Sequence, residues 1–283
     1  MGAGKLILVG TPLGNREDLS ARARRTLLEA DLLLCEDTRS PQRLLPDVEL
    51  PERVSCFVGN EHERVAMLLE RLAAGQVVAF VSEAGLPVWS DPGRLLVAAA
   101  VEGGYEVDVI PGPTAGTCAL ALSGFPAEGA CFFGFLARGG KDRDAELERL
   151  ASAHGPAIVY EAGNRTPALL RDLAAKLGDR RALIARELTK LHQELLRGTI
   201  TELAARVTEP LRGEVTVVIE GPTATTAPKE DPAEQAARAV LDVMLDASLK
   251  PRARAKALAE LTGLDARELY DRLRGGSERD NEI

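Results

Sequence analysis

The sequence predicts an α/β protein built on a largely parallel sheet, and three observations carry that reading. Short β-like runs alternate with segments of helical apolar spacing. Glycine and proline collect in the turns that follow the strand-like runs. A composition of 45% hydrophobic and 28% charged residues is that of a chain with real cores to bury. At 283 residues there is room for two modest domains, or for one large domain with an appendage.

The elements follow in order. Residues 5–10 form a compact strand candidate. Ser20 is placed to cap a helix reaching about Glu29, and 31–35 is a further apolar run. Over 61–74, Val65, Leu68, Leu69 and Leu72 recur at helical spacing, and Gly75 is placed to stop the helix. Residues 76–82 read as a buried strand. Asp91-Pro92 reads as an N-cap with proline at the first helical position, opening a helix that ends near Gly103-Gly104. A strand at 107–110 passes through Pro111-Gly112-Pro113 into a small-residue helix ending about Ser123. A second α/β block has strands at 131–136, 157–160, 182–186 and 215–220, a polar loop at Gly139-Gly140-Lys141-Asp142, and a helix at 166–177. The Pro- and Thr-rich stretch 221–231 reads as a linker. Beyond it, 233–273 reads as a helical tail in which Asp265 and Glu268 form an acidic variant of the capping box. The expected division is an N-terminal α/β subdomain at 1–126, a second at 127–222, a linker at 223–231 and a helical segment at 232–283.

Several function classes are disfavoured. No apolar run reaches the ~18–20 residues that cross a bilayer, and MGAGKLILVGTPLGN lacks the long apolar stretch and cleavage site of a signal peptide. Cys35, Cys56, Cys118 and Cys131 are scattered without a C-x-x-C pair, which reads as buried thiols in a reducing compartment, the cytoplasm. A net charge of −8 argues against coating nucleic acid through bulk electrostatics, while leaving room for a local basic patch. There is no Walker A loop, no G-x-G-x-x-G and no G-x-S-x-G. His62, His154 and His192 lack metal-ligand spacing, and no metal is expected.

In an open α/β sheet, ligands bind at the carboxyl ends of the strands. The turns expected there are unusual: Gly10-Thr11-Pro12-Leu13-Gly14-Asn15, Glu36-Asp37-Thr38-Arg39, Glu83-Ala84-Gly85-Leu86-Pro87 with Ser90-Asp91-Pro92-Gly93, and Pro111-Gly112-Pro113-Thr114. One such turn would read as a plain connection. Four on one sheet edge read as a pocket whose backbone amides can approach a ligand closely.

TPLGN, EDTR, the S-x-AG-x-P…SDPG pair, IPGPTA, SGFP, GFL, ARELTK with RGT, and GEVTVVIEG occur in this order along nearly the whole chain. Together they resemble the bacterial small-subunit rRNA cytidine-2′-O-methyltransferase family of the tetrapyrrole methylase superfamily. The resemblance implies a class III methyltransferase with two α/β subdomains, a small C-terminal helical domain, S-adenosylmethionine in the cleft between the subdomains, and a homodimer. Carried over by position, the cofactor side comprises Pro12, Ser82, Glu83, Ala84, Gly85, Leu86, Pro87, Asp91, Pro111, Gly112, Tyr160, Arg186 and Leu188. Asp37, Arg39, Glu187 and Lys190 are the candidates for a base or polarising group near the ribose hydroxyl, each with a plain alternative as a structural ion pair.

The chain departs from the family pattern in three places. SDAGTP is here Ser82-Glu83-Ala84-Gly85-Leu86-Pro87, H-x-H-N-E is Phe57-Val58-Gly59-Asn60-Glu61, and YES-x-HR is Tyr160-Glu161-Ala162-Gly163-Asn164-Arg165. In the tail, residues 249–274 hold seven Lys or Arg against four Asp or Glu. Lys250, Arg252, Arg254 and Lys256 are therefore candidates for contact with the phosphates of small-subunit rRNA. Two readings compete with this: a methyltransferase of the same fold that acts on a small molecule or a protein, and a non-catalytic RNA- or ribosome-binding protein that has kept the fold.

Overall fold

A computed structural model describes residues 4–222, 232–246 and 248–275. Contacts divide the chain into two compact units, 1–222 and 223–283. The first unit holds two five-stranded sheets.

The first sheet comprises β1 (Lys5–Val9), β2 (Leu32–Cys35), β3 (Glu52–Ser55), β4 (Val77–Val81) and β5 (Glu106–Ile110), in the order β3-β2-β4-β1-β5. Every pairing in it is parallel. Runs such as LLLC and VVAFV are apolar throughout because both faces of a parallel sheet are covered. Their alternate residues feed two cores. Leu6, Leu32, Leu34, Val78 and Phe80 meet α3 (Glu61–Ala73) and α4 (Arg94–Glu102) through Leu68, Leu72 and Leu96. Val9, Leu33, Cys35, Ala79 and Val81 meet α1 (Ala21–Glu29) through Ala23 and Leu27. With all strands parallel, the four turns singled out in the sequence fall along one edge.

The start of α4 differs from expectation. It begins at Arg94, with Gly93 at φ 120° in the capping position. The cap is the buried carboxylate of Glu61, whose Oε1 accepts from the N–H of Gly93 (2.9 Å) and of Leu95 (2.7 Å). Asp91 is thereby released from capping. α2 (Ser40–Leu44), which carries Arg43, follows the EDTR turn directly.

The second sheet comprises β6 (Cys131–Phe135), β7 (Ala157–Ala162), β8 (Arg181–Arg186), β9 (Glu194–Thr199) and β10 (Glu214–Ile219), in the order β6-β7-β10-β8-β9. Only β6 and β7 run parallel, so the expectation of largely parallel pairing fails here. The physical reason is local. β8 folds straight back as β9, and β10 inserts between β7 and β8 against the direction of both.

One face of this sheet is covered by α6 (Gly140–Ala151), α7 (Thr166–Leu177) and α8 (Ile200–Arg206). The expected polar loop at 139–142 is in fact the start of α6. The other face receives α5 (Ala115–Ser123), whose buried Ala119 packs with Ile158, Leu183, Ala185 and Val218. The last turn-edge helix of the first sheet thus sits on the second sheet.

The second unit holds α9 (Pro232–Leu245), α10 (Pro251–Thr262) and α11 (Ala266–Gly275). Asp265 Oδ1 accepts from the N–H of Arg267 and of Glu268, both at 2.9 Å. Glu268 pairs with Arg272 at 2.7 Å, so the acidic cap forms through Asp265. The expected linker at 223–231 lies outside the described residues. Among the described residues no helix is long and apolar enough to cross a membrane.

Candidate active site

The turns along the first sheet's edge are tied to one another. Thr11 and Gly85 exchange backbone hydrogen bonds, N–H to O at 2.9 Å and 3.1 Å, and Leu86 N–H donates to Pro113 O at 3.0 Å. Gly85 sits at φ +81°, and a Cβ there would lie 3.0 Å from Pro113 O, so glycine is required by both conformation and space. Gly10 and Gly112 pack backbone to backbone, where a Cβ on Gly10 would fall 2.5 Å from the Gly112 Cα. Val88 and Ser90 also hold positive φ, 77° and 68°, a conformation that is an outlier for a β-branched residue. Local strain therefore gathers in the segment that presents Asp91.

Between this edge and the second sheet lies a cavity of about 310 Å³, within the ~300–1,000 Å³ typical of small-molecule sites. Glu83-Ala84-Gly85-Leu86 and Asp91 form one wall, and Tyr160, Glu161, Leu188 and Glu214 form the opposite one. Aromatic side chains cluster beside it. Trp89 packs on Phe132 with centroids 4.7 Å apart, Phe132 on Tyr160 at 4.9 Å, and Phe135 on Tyr160 at 5.6 Å. The Tyr160 hydroxyl accepts from the N–H of Gly116 at 2.9 Å, which fixes the start of α5 against β7.

The charge of this cavity is one-sided. Glu83, Asp91, Glu161 and Glu214 line it, and among the described residues no Lys, Arg or His does, although Arg165 and Lys190 pair with Glu161 and Glu214 from outside the lining. Glu161 is the least expected, a carboxylate in a buried strand with its side chain 1% exposed. Its Oε1 pairs with Arg165 Nε at 3.2 Å, whereas Oε2 is buried with no partner. A buried acceptor without a donor is costly unless a ligand supplies one. Burial pushes the Asp91 carboxyl up to about 7, reinforced by the charges of Glu36, Glu214 and Glu83, while a hydrogen bond from Ser82 works the other way. Glu36 is likewise raised by burial and by Glu83, although its Oε1 accepts the Glu83 N–H at 3.0 Å. Ser40 Oγ lies 3.0 Å from both Glu83 carboxylate oxygens and donates to that group.

Of the residues expected on the cofactor side, Glu83, Ala84, Gly85, Leu86, Asp91, Tyr160 and Leu188 line the cavity. Pro12 and Ser82 line a small adjoining pocket with Glu83 and Ser40. Pro87, Pro111 and Gly112 lie in the supporting turns. Arg186 braces the sheet instead, through Glu194 at 2.9 Å and the Arg212 carbonyl at 3.2 Å.

The four expected catalytic groups occur as two ion-paired sets. Asp37 accepts from Arg39 and from Arg43, at 2.8 Å and 2.6 Å. The Arg39 guanidinium and backbone N–H hold its carboxyl far below the usual range, which makes it a poor proton acceptor. Glu187 accepts from Lys190 at 2.9 Å and from the Glu214 N–H at 3.0 Å. Burial opposes its charge, yet these bonds hold its carboxyl below the ordinary value. Gly213 makes room for it, since a Cβ there would meet Glu187 Cδ at 2.4 Å. Lys190 also bonds Glu214 at 2.8 Å, and the Asn15 N–H donates to Thr189 Oγ1 at 3.1 Å. The TPLGN and RELTK segments therefore lock the two sheets together.

The tail residues divide as well. Lys250, Arg252 and Lys256 are exposed, whereas Arg254 bonds the Asp246 carbonyl. All four cysteines are free thiols; Cys35 and Cys56 are buried and Cys118 and Cys131 half-buried. Burial pushes the Cys35 thiol up to about 12 and Cys56 to about 11, which leaves both unreactive.

Known proteins share this architecture. The methyltransferase CobJ superposes with a TM-score of 0.61 at 20% identity, over 78% of this chain and 95% of that one. Uroporphyrin-III C-methyltransferase from Thermus thermophilus, complexed with S-adenyl homocysteine, gives 0.54 at 23% identity, over 76% and 92%. At these identities the likeness shows the fold. Residues 5–204 match the model of the Tetrapyrrole (Corrin/Porphyrin) Methylases, and the chain belongs to that family of methyltransferases. The ribosomal RNA small subunit methyltransferase I of Thermotoga maritima is 45% identical over 221 residues, 77% of this chain and 99% of that protein. Its counterpart from Micromonospora olivasterospora is 41% identical over 281 residues, 98% of this chain and 89% of that protein. Within the methylases, the chain is a member of the ribosomal RNA small subunit methyltransferase I group.

Proposed function

We propose that this protein transfers the methyl group of S-adenosylmethionine to a cytidine ribose 2′-hydroxyl in small-subunit ribosomal RNA. The observation that carries the cofactor assignment is the cavity with four carboxylates, aromatic and leucine walls, and no cationic side chain. That donor set suits a ligand with an ammonium, a sulfonium and a purine, and it disfavours a nucleotide phosphate. The acceptor assignment is supported by the names of the relatives, which specify small-subunit ribosomal RNA. A small-molecule or protein acceptor draws no support from them.

S-adenosylmethionine supplies an electrophilic methyl group. The chain's own residues must align the acceptor and take the proton that the ribose hydroxyl loses. Asp91 fits the role of proton acceptor, because it lines the cavity and its carboxyl is poised at about 7. The buried Glu161 Oε2 fits the ligand's ammonium, and the leucines beside the aromatic wall fit the adenine. Asp37, Arg39, Glu187 and Lys190 then serve as positioning groups around the cavity. Lys250, Arg252, Arg254 and Lys256 remain candidates for phosphate contact, and the division into subdomains at 1–126 and 127–222 belongs to the same reading. A homodimer and a cytoplasmic location belong to the same reading through the resemblance, and sedimentation equilibrium tests the first.

The test is to incubate the purified protein with methyl-labelled S-adenosylmethionine and small ribosomal subunits lacking the modification, then hydrolyse the RNA in alkali. Label in one alkali-resistant dinucleotide that begins with cytidine is the expected result. Label in protein, in a base, or nowhere would refute the assignment.

A further inference from the structure

Beside the same sheet edge lies a second depression, broader at about 1030 Å³, lined by Arg16, Arg39, Arg43 and Arg53. Four guanidinium groups on one surface stand out in a chain with a formal net charge of −8. The carboxylate among the lining residues, Glu52, is already paired with Arg71 at 3.0 Å. Asp37 offsets part of the charge, but it also orders two of the arginines. It holds Arg39 through a fork and Arg43 at 2.6 Å, and their side chains remain 80% and 61% exposed. Arg53 is steadied by Gln42 Oε1 at 3.1 Å, and Arg16 is exposed at the start of a short helical turn. A guanidinium has five N–H donors in a rigid fork, so one held along one edge still offers donors to a phosphate with little left to order.

This depression adjoins the cavity. α2 carries Arg43 and starts immediately after Arg39, and its first residue, Ser40, hydrogen-bonds Glu83 in the cavity wall. The two sites are oppositely charged neighbours: carboxylates where the methyl donor fits, arginines beside it.

We propose that the groove of Arg16, Arg39, Arg43 and Arg53 is a phosphate track that seats the RNA backbone flanking the methylated nucleotide. The proposal rests on the RNA-methylating reading given above. It divides the work, with the ribose to be modified presented at the mouth of the methyl-donor cavity and the groove fixing the register of the strand without reading bases.

The test pairs Arg16→Glu with Arg53→Glu, and separately Arg16→Gln with Arg53→Gln. Neither residue lines the cavity. A control, Arg24→Glu with Arg25→Glu on the exposed side of α1, makes the same net-charge change outside the groove. Three readings are taken: KM and kcat on small subunits, the salt dependence of affinity for a naked rRNA fragment, and the Kd for S-adenosylhomocysteine. The reversed pair should raise KM on the order of tenfold and flatten the log–log salt slope by roughly 0.7 per lost phosphate. It should leave kcat and cofactor Kd unchanged, and the control should match the parent.

Unchanged KM and slope in the reversed pair, or equal losses in the control, would overturn the proposal. Loss on whole subunits with unchanged binding of naked RNA would overturn it too, and would assign the groove to a ribosomal protein. If charge reversal also disturbs cofactor binding, the neutral pair decides by the same readings. A parent that methylates no RNA defeats the function assignment, whereas the groove still stands or falls on the naked-RNA salt slope.

Discussion

In the proposed function Asp91 and Glu161 carry most of the site's chemistry, and each makes a distinct prediction. The folded state lifts the Asp91 carboxyl from its ordinary 3.8 to about 7, chiefly through burial. The native protein therefore binds this proton more tightly than the unfolded chain. That contribution to stability is complete below about pH 4 and is lost as pH rises through 7. Asp91→Asn should accordingly have a higher Tm than the parent at pH 8, with the gap shrinking toward pH 5; a gap independent of pH would contradict this origin. In methyl transfer the same variant should be slower by about 10²–10⁴-fold, the usual worth of a positioned proton acceptor. Glu161→Gln keeps the shape and removes the charge facing the cavity. Titration calorimetry should show S-adenosylmethionine binding weakened by ~1.5–3 kcal/mol, the scale of a hydrogen bond to a charged group. Unaltered affinity would mean that Oε2 does not meet the ligand.

These residue assignments were partly legible in the sequence. The turn motifs pointed to Glu83, Gly85, Leu86 and Asp91 because tight glycine turns at strand ends mark a pocket whatever the pairing details. They left Asp37 and Glu187 open between proton acceptor and structural ion pair, because Arg39 and Lys190 are near in sequence but the pairing itself, and the second partner Arg43, depends on the three-dimensional arrangement. Glu161 was missed, although a carboxylate inside the strand AIVYEA was a readable signal: charge in a buried strand demands a partner.

At the scale of elements, the first sheet was readable because its central strands are continuous apolar runs that cannot be exposed. β3 (ERVS) and β9 (ELLRGT) were not, because both are partly exposed and mix charged with apolar residues without a continuous apolar run. The antiparallel pairing of the second sheet is a property of neighbours in space, so periodicity does not reveal it. The α4 cap illustrates the same limit. Asp91-Pro92 had the right residue types, yet Glu61, thirty-two positions from Gly93, supplies the cap. Glu61→Ala should strand the N–H groups of Gly93 and Leu95 in a buried setting and cost about 1–3 kcal/mol. Urea denaturation measures this, and a loss below about 0.5 kcal/mol, the range of an ordinary surface substitution, would show that α4 is held by other means.

At the scale of the whole molecule, the organising feature is separation of charge within an acidic chain. Carboxylates gather in the cavity between the sheets, and arginines gather in the neighbouring groove. Bulk composition conceals this, because −8 is a sum over both. The parallel order of the first sheet produces the cavity wall by bringing the turns after β1, β4 and β5 to one edge. The chain path through α5 and the RELTK segment then fixes the second sheet opposite that edge. Everything proposed for function depends on the cavity being the methyl-donor site. A crystal structure of the protein with S-adenosylhomocysteine decides the matter. The ligand should lie between the Gly85 turn and Tyr160, with its ammonium within hydrogen-bonding distance of the carboxylates lining the cavity. Ligand density anywhere else, including the arginine groove, would contradict the assignment.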